Sequence, residues 1–271
     1  MPELPEVETV ARGLTGELVG QTFTGVTVRW PKTVAFPTVA QFEKQIVGQR
    51  VASVGRRGKY VVVNLDEGAL LVHLKMSGRL QVMPSGKPQD KHTHTVFDLD
   101  NGRQLCFHDV RKFGRIYLVD DPAQVTGRLG PEPLAVDFSV DDFHGLLARR
   151  SGRLKSLLLN QEFLAGLGNI YADESLFAAR LHPLRKADSL TPEEQVELYQ
   201  AIRTVLGRAV EGRGTTLEDR GYLDTRGRAG TYQDQVTVYS RMGEPCLVCD
   251  SAIERIVVGG RSTHYCPHCQ Q

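Results

Sequence analysis

The chain has 271 residues, 41% of them apolar and 24% charged, a composition that provides a core to bury and argues against disordered or fibrous classes. No apolar run approaches the ~20 residues of a membrane span, and the N-terminus lacks the basic-then-apolar order of an export signal, so a reducing, cytoplasmic setting is expected. The formal net charge of +1 carries none of the basic excess usual in nucleic-acid binders.

Pro5 to about Val19 predicts a helix, with Pro in the first turn beside Glu6 and Glu8 as helix starts favour. Seven short apolar runs follow: Phe23 to Trp30, Arg50 to Val54, Tyr60 to Leu65, Ala69 to Lys75, Thr95 to Leu99, Gln104 to His108 and Arg115 to Leu118. Gly, Asp, Asn and Pro punctuate them, which predicts a β-sandwich or barrel. Gly130-Pro131-Glu132-Pro133 reads as an interdomain linker. Helical spacing then marks Val140 to Arg149, Arg153 to Asn160, Asn169 to Arg180 and Pro192 to Glu211. Residues 212–234, poor in apolar side chains, read as an exposed, mobile loop. The expected domains are 1–130, 131–237 and 238–271.

The charge is spread unevenly along this order. Residues 51–118 carry eleven Lys/Arg and six Asp/Glu, residues 119–144 one and six, and residues 145–186 seven and three. Two basic blocks around an acidic connector suit a polyanion gripped from two sides. They also suit the solvated faces of two ordinary domains.

Four of the five cysteines lie near the C-terminus, as Cys246-x2-Cys249 and, sixteen residues on, Cys266-x2-Cys269. This spacing predicts one structural zinc ion, held by four thiolates that leave no open position for catalysis. Between the pairs, Gly259-Gly260 marks the turn of a β-hairpin, with Arg261 near its tip. Cys106 reads as a core residue.

The opening Met1-Pro2-Glu3 is unusual. Aminopeptidases remove Met before a small residue, which would leave Pro2 with a secondary amine. An α-amine of pKa about 7.7–8.0 is substantially neutral at cellular pH and can act as a nucleophile. Condensation at an aldehyde-level carbon would give a cationic iminium, with Glu3 beside it as an acid. The plainer reading is that Pro2-Glu3 merely begins a helix.

PELPEVET at residues 2–9, His73-Leu-Lys-Met-Ser-Gly78, Asp109-Val-Arg-Lys-Phe-Gly114, Ala165-Gly-Leu-Gly-Asn-Ile-Tyr-Ala-Asp-Glu174 and the four-cysteine tail together resemble bacterial formamidopyrimidine-DNA glycosylases. The resemblance spans nearly the whole chain. It implies an α+β multidomain fold: an N-terminal β-sandwich with a leading helix, a helix–two-turn–helix domain and a zinc finger, with damaged DNA as partner. It implies removal of oxidised purines from double-stranded DNA by a monomer, followed by strand cleavage through β,δ-elimination.

Residue by residue, the resemblance makes Pro2 the nucleophile and Glu3 the acid, with Glu6 a second carboxylate. Lys59 and Arg261 assist elimination beside the flipped nucleotide. Met76, Arg111 and Phe113 fill the gap that the flipped base leaves, types suited to wedging, hydrogen bonding and stacking. His92, Arg153, Lys155 and Asn169 are expected on the DNA backbone, Asn169 as a helix cap. Residues 214–233 correspond to the family's lesion-capping loop. Lys75, Lys112 and Asn160 depart from the commonest pattern without removing a functional group. The alternatives are an endonuclease VIII-like enzyme for oxidised pyrimidines and a non-catalytic DNA-binding relative.

Overall fold

Helix α1 (Leu4–Leu18) begins where Glu3 caps it and Pro5 presets its first turn. Its apolar stripe, Val7, Val10, Ala11, Leu14 and Leu18, is buried and seeds the core between two sheets. The computed structural model describes residues 1–217 and 221–271. Within these, the chain divides into two units, residues 1–128 with 212–231, and residues 129–211 with 232–271.

In the first unit β1 (Phe23–Val28), β6 (Gly78–Pro84), β7 (Thr93–Leu99) and β8 (Arg103–Asp109) form a sheet of order β1-β7-β8-β6. The strands β2 (Val34–Phe36), β3 (Val51–Arg57), β4 (Tyr60–Leu65), β5 (Ala69–His73) and β9 (Arg115–Val119) form a second, of order β2-β9-β5-β4-β3. All pairings are antiparallel except β2 with β9. Phe97, Leu105 and Phe107 from one sheet share a core with Val61, Val63, Leu70, Val72 and Ile116 from the other, the facing arrangement of a sandwich. Leu71 and Ala69 turn the other way into a small cluster with Val62 and Val119. Burial on both faces is why β5 reads as an unbroken apolar run.

Four elements are additional to the sequence reading. Helix α2 (Val39–Ile46) carries a Thr38/Gln41 capping box and buries only Phe42 and Ile46, a stripe too short to stand out. Strand β2 has three residues, and β6 is a half-exposed edge strand ending in Pro84, where Pro is tolerated. A one-turn helix, α3 (Ala123–Thr126), ends the first stretch of this unit.

Residues 212–231, expected as a mobile loop of the middle domain, belong instead to the first unit. Tyr222 is buried in the sandwich core and its hydroxyl donates to the Arg213 carbonyl. The Asp224 carboxylate accepts from the Arg226 and Arg228 backbone N–H groups and from Arg228 Nε. Gly13 of α1 leaves the room that the Thr225 side chain occupies. One aromatic side chain thus anchors a segment of polar composition, whose turn a carboxylate closes. Glu218, Asp219 and Arg220 of the expected capping loop lie outside the described residues.

The second unit holds α4 (Val140–Leu147), α5 (Leu154–Leu159), α6 (Asn169–Ala178) and α7 (Pro192–Glu211), then the hairpin β10 (Glu254–Val258) and β11 (Arg261–Tyr265). Gln161 closes the two turns between α5 and α6: its Nε2 donates to the Leu159 and Leu167 carbonyls and its Oε1 accepts from Gly166 N–H. The Gly130–Pro133 segment is pinned to those turns through Gly130 N–H to Gln161 O and Ala165 N–H to Pro131 O. It is therefore the start of the second unit and no free tether. Helix α6 is buried nearly all round, as expected of a central helix.

Candidate functional site

At the N-terminus Pro2 is buried while Met1 remains half exposed. The Glu3 backbone N–H donates to Glu6 Oε2 at 2.7 Å, and the Thr215 N–H donates to Glu6 Oε1 at 2.7 Å. One buried carboxylate therefore ties the residue after Pro2 to a segment more than two hundred positions away. Gly214, at φ +79°, permits this approach, since a Cβ there would lie 2.5 Å from Glu6 Oε1.

Lys59 occupies the β3–β4 turn, after Gly58 at φ +54°, and is largely buried. Arg56 braces that turn against α1, donating from Nε to Glu8 Oε2 at 3.0 Å and from Nη1 to the Gly58 carbonyl at 3.0 Å. Burial alone would raise the Glu8 carboxyl, but hydrogen bonds from Arg12 and Arg56 outweigh it and hold the pKa below the ordinary value. His73 faces Tyr60 across the β4–β5 ladder. Burial, with Lys75 and Lys59 nearby, depresses its pKa to about 3. Its Nδ1 accepts the Lys75 N–H at 3.0 Å, which places the proton of the neutral ring on Nε2. The sequence reading passed over His73, although strand pairing sets it beside Lys59.

Met76, Arg111 and Phe113 are exposed on two neighbouring loops. Asp109, fully buried, joins those loops: it accepts from Ser77 Oγ at 2.5 Å, from Arg111 N–H at 3.2 Å and from Gly114 N–H at 2.7 Å. The Arg111 guanidinium carbon lies 5.3 Å from the centre of the Phe113 ring. Val110 is equally exposed and adds an apolar side chain that the sequence reading did not single out. His92 is half-buried, 5.8 Å between ring centres from His108. His94 is buried and donates from Nε2 to the Asp109 carbonyl at 2.8 Å.

In the second unit Arg153 and Arg261 are exposed, Arg261 directly after the Gly259-Gly260 turn. Lys155 corrects the expectation of a DNA contact. It is 0% exposed, with Nζ donating to Asp173 Oδ1 at 2.6 Å and to the Asn169 carbonyl at 2.9 Å, so its charge is spent inside the protein. That expectation came from the resemblance, and helical periodicity does not reveal that α6 contributes a buried acid to pair with Lys155. Asn169 differs as well. Gly168 occupies the N-cap position, and Asn169 Nδ2 donates to the Ser262 carbonyl at 2.8 Å.

Two acids of α6 hold the C-terminal segment. Asp173 Oδ2 accepts the His264 N–H at 2.9 Å. Glu174 accepts from Thr237 N–H and Oγ1, Val238 N–H and Tyr239 N–H at 2.6–3.0 Å. Beyond them the sulfurs of Cys246, Cys249, Cys266 and Cys269 all lie within 4.8 Å of one another. Tetrahedral zinc with bonds of ~2.3 Å separates its thiolates by ~3.8 Å; the Cys249–Cys266 and Cys246–Cys269 sulfurs stand at 3.4 and 3.9 Å. The donor set fits one zinc ion in a scaffolding role. Cys106 is buried on β8, apart from that cluster.

Comparisons with known proteins agree with this geometry. Residues 1–116 match the Formamidopyrimidine-DNA glycosylase N-terminal domain, residues 129–220 the Formamidopyrimidine-DNA glycosylase H2TH domain, and residues 243–271 the zinc finger found in FPG and IleRS. The chain is 50% identical to a formamidopyrimidine-DNA glycosylase of Herpetosiphon aurantiacus, covering 100% of both chains. The MutM (FPG) protein of Thermus thermophilus superposes with a TM-score of 0.89 at 44% identity, over 99% of this chain and 98% of that one. A Lactococcus lactis FPG point mutant, solved in complex with a Fapy-dG containing DNA, gives 0.92 at 35% identity over 100% of both. The four cysteines thus hold one structural zinc, and the chain belongs to the formamidopyrimidine-DNA glycosylase family, DNA glycosylases of base-excision repair.

Proposed function

We propose that this enzyme excises oxidised purines, 8-oxoguanine and formamidopyrimidines, from double-stranded DNA and then cuts the strand as an AP lyase, acting as a monomer. The observation that carries the reading is the N-terminus: Pro2 is buried next to Glu3, whose N–H is held by Glu6.

The target nucleotide must leave the stack before its C1′ can be attacked. Met76, Arg111 and Phe113 take its place, with the guanidinium bonding the widowed cytosine. In the chain processed to remove Met1, the Pro2 amine attacks C1′ while the base departs with the bonding pair and a proton from Glu3. Oxocarbenium character in that step makes the acid effective. Opening of the sugar leaves an iminium on Pro2 that acidifies C2′. Loss of that proton expels the 3′ phosphate, a second elimination expels the 5′ phosphate, and water hydrolyses the conjugated iminium to return Pro2. Lys59 neutralises phosphate charge near the leaving groups. Arg261 assists the elimination beside the flipped nucleotide, Arg153, His92 and Asn169 grip the backbone, and Lys155 acts only by holding Asn169 and Asp173. The zinc keeps the hairpin that presents Arg261 folded.

Borohydride trapping on a duplex with 8-oxoguanine opposite cytosine tests this reading. The expected result is a covalent adduct mapped to Pro2, absent in Pro2→Gly and in a chain that keeps Met1. Binding without adduct or scission, in zinc-loaded protein lacking Met1, would sink the lyase assignment. Adducts confined to oxidised pyrimidines would move the substrate class.

A further inference from the structure

Trp30 is the single tryptophan of the chain, and no step proposed above uses it. It follows β1, where the Arg29 and Trp30 N–H groups both donate to the His94 carbonyl, at 2.8 and 3.4 Å. Its Nε1 is buried without a hydrogen-bond partner among the described residues, so the face of the indole supplies its polar contact. Lys112 Nζ lies 4.3 Å from the ring centre and Lys32 Nζ 5.9 Å, both within the range of cation–π attraction.

Lys112 stands between Arg111 and Phe113, and its backbone is left-handed at φ +60°. A residue with a Cβ is uncommon there and persists where its surroundings hold it. The contacts around it close a ring. The Trp30 backbone is bound to His94, and His94 Nε2 donates to the Asp109 carbonyl. That carbonyl also accepts the Lys112 N–H at 3.3 Å, and the Lys112 side chain returns to Trp30. Asp109 fixes the two ends of the 109–114 loop through Arg111 and Gly114. Its middle is fixed by Lys112 on the indole.

We propose that Trp30 is a positioning residue for the wedge. By holding Lys112 it keeps residues 111–113 in one backbone conformation, so that Arg111 meets the orphaned base in a fixed geometry and opposite-base discrimination follows. The proposal rests on the wedge role given to Arg111 and Phe113 above. At a preformed abasic site no paired base has to be displaced from the stack, so cleavage there depends on the wedge much less.

Single-turnover excision of 8-oxoguanine opposite cytosine and opposite adenine, with abasic-site cleavage measured alongside, tests it. Trp30→Leu and Lys112→Met should each lower the cytosine-over-adenine preference by about fivefold, the size of one cation–π contact. The double variant should be no worse than either single one. Abasic-site cleavage should stay within about twofold. Trp30→Phe and Lys112→Arg should restore most of the preference. Emission from the lone indole in the unbound protein should change in Lys112→Met and not in Lys112→Arg, a signature that altered folding alone would not give. Lys112→Gly relieves the left-handed backbone while removing the ammonium. If it matches the wild type, or if Trp30→Leu keeps full preference while Arg111→Ala loses it, the proposal is overturned. If Arg111→Ala itself keeps full preference, the wedge reading falls first and the role of Trp30 with it.

Discussion

Asp109 and Asp173 are both buried carboxylates, 0% and 1% exposed, and each ties together segments that lie apart in the chain. Their partners differ. Asp109 is satisfied by neutral donors, a serine hydroxyl and two backbone N–H groups. Asp173 faces a fully buried lysine as well as the His264 backbone. Charge spread over neutral donors survives the loss of one of them at a cost of roughly 1–3 kcal/mol. A buried ion pair that loses one member strands the other, at roughly 3–5 kcal/mol. Around Asp109 the first unit is thus held by distributed hydrogen bonds; around Asp173 and the cysteines the second adds ionic and metal contacts to a helical core that buries Phe143, Phe163, Leu198 and Leu206.

Zinc removal should show the contrast most strongly. Structural zinc supplies roughly 10–16 kcal/mol of apparent folding free energy in small fingers, and among the described residues Phe177, Val238 and Ile253 complete the small apolar cluster around the cysteines. Chelation, or Cys246→Ser, should unfold residues 243–271 and abolish DNA binding while the sandwich keeps its unfolding transition. Hydrogen exchange resolved by segment checks this, and parallel loss of protection in the sandwich would contradict it.

Next in size is Asp173→Asn, expected to destabilise the second unit by about 3–5 kcal/mol because Lys155 remains charged and buried. A paired Lys155→Met, Asp173→Leu variant should regain much of that in urea unfolding. Equal damage from both would mean that the hydrogen bond to His264, and not the charge, matters.

A third and smaller effect belongs to the first unit. Burial, with Lys75 and Lys59, holds the His73 pKa at about 3, against 6.5 for the free imidazole. Below pH 6.5 the unfolded chain takes up a proton that the folded chain refuses. His73 therefore removes about 1.4 kcal/mol of stability per pH unit, from 6.5 down toward 3. His73→Gln should flatten that slope, read as the urea midpoint of the first unit at pH 7, 6 and 5. An unchanged slope would assign the acid sensitivity elsewhere.

These contrasts also separate what could be read from the chain from what could not. The cysteine spacing, the Gly259-Gly260 hairpin, α1 and most strands were legible because each depends on nearby residues: a knuckle, a turn, a stripe or an alternation. Lys155 escapes a local reading because its partner is eighteen positions away on another helix. The polar 212–231 segment hides its attachment because Tyr222 in the sandwich core and Thr215 on Glu6 provide it, through partners far off in the chain. Trp30 and Lys112 are more than eighty positions apart, and no local pattern pairs them. Short-range chemistry could be read from the sequence, whereas burial produced by distant pairing could not.

The first unit is discontinuous in the chain. Its sandwich is complete by Arg128, yet Tyr222, which plugs its core, and Thr215, which engages Glu6, arrive only after the whole run from Leu129 to Glu211. During synthesis, therefore, the sandwich emerges with an uncovered apolar notch and waits while four helices are made. A fragment ending at Arg128 would keep that notch open permanently and be prone to self-association. The order of events on the ribosome is thus written into the connectivity: the part that holds Pro2 is the first to appear and among the last to be sealed.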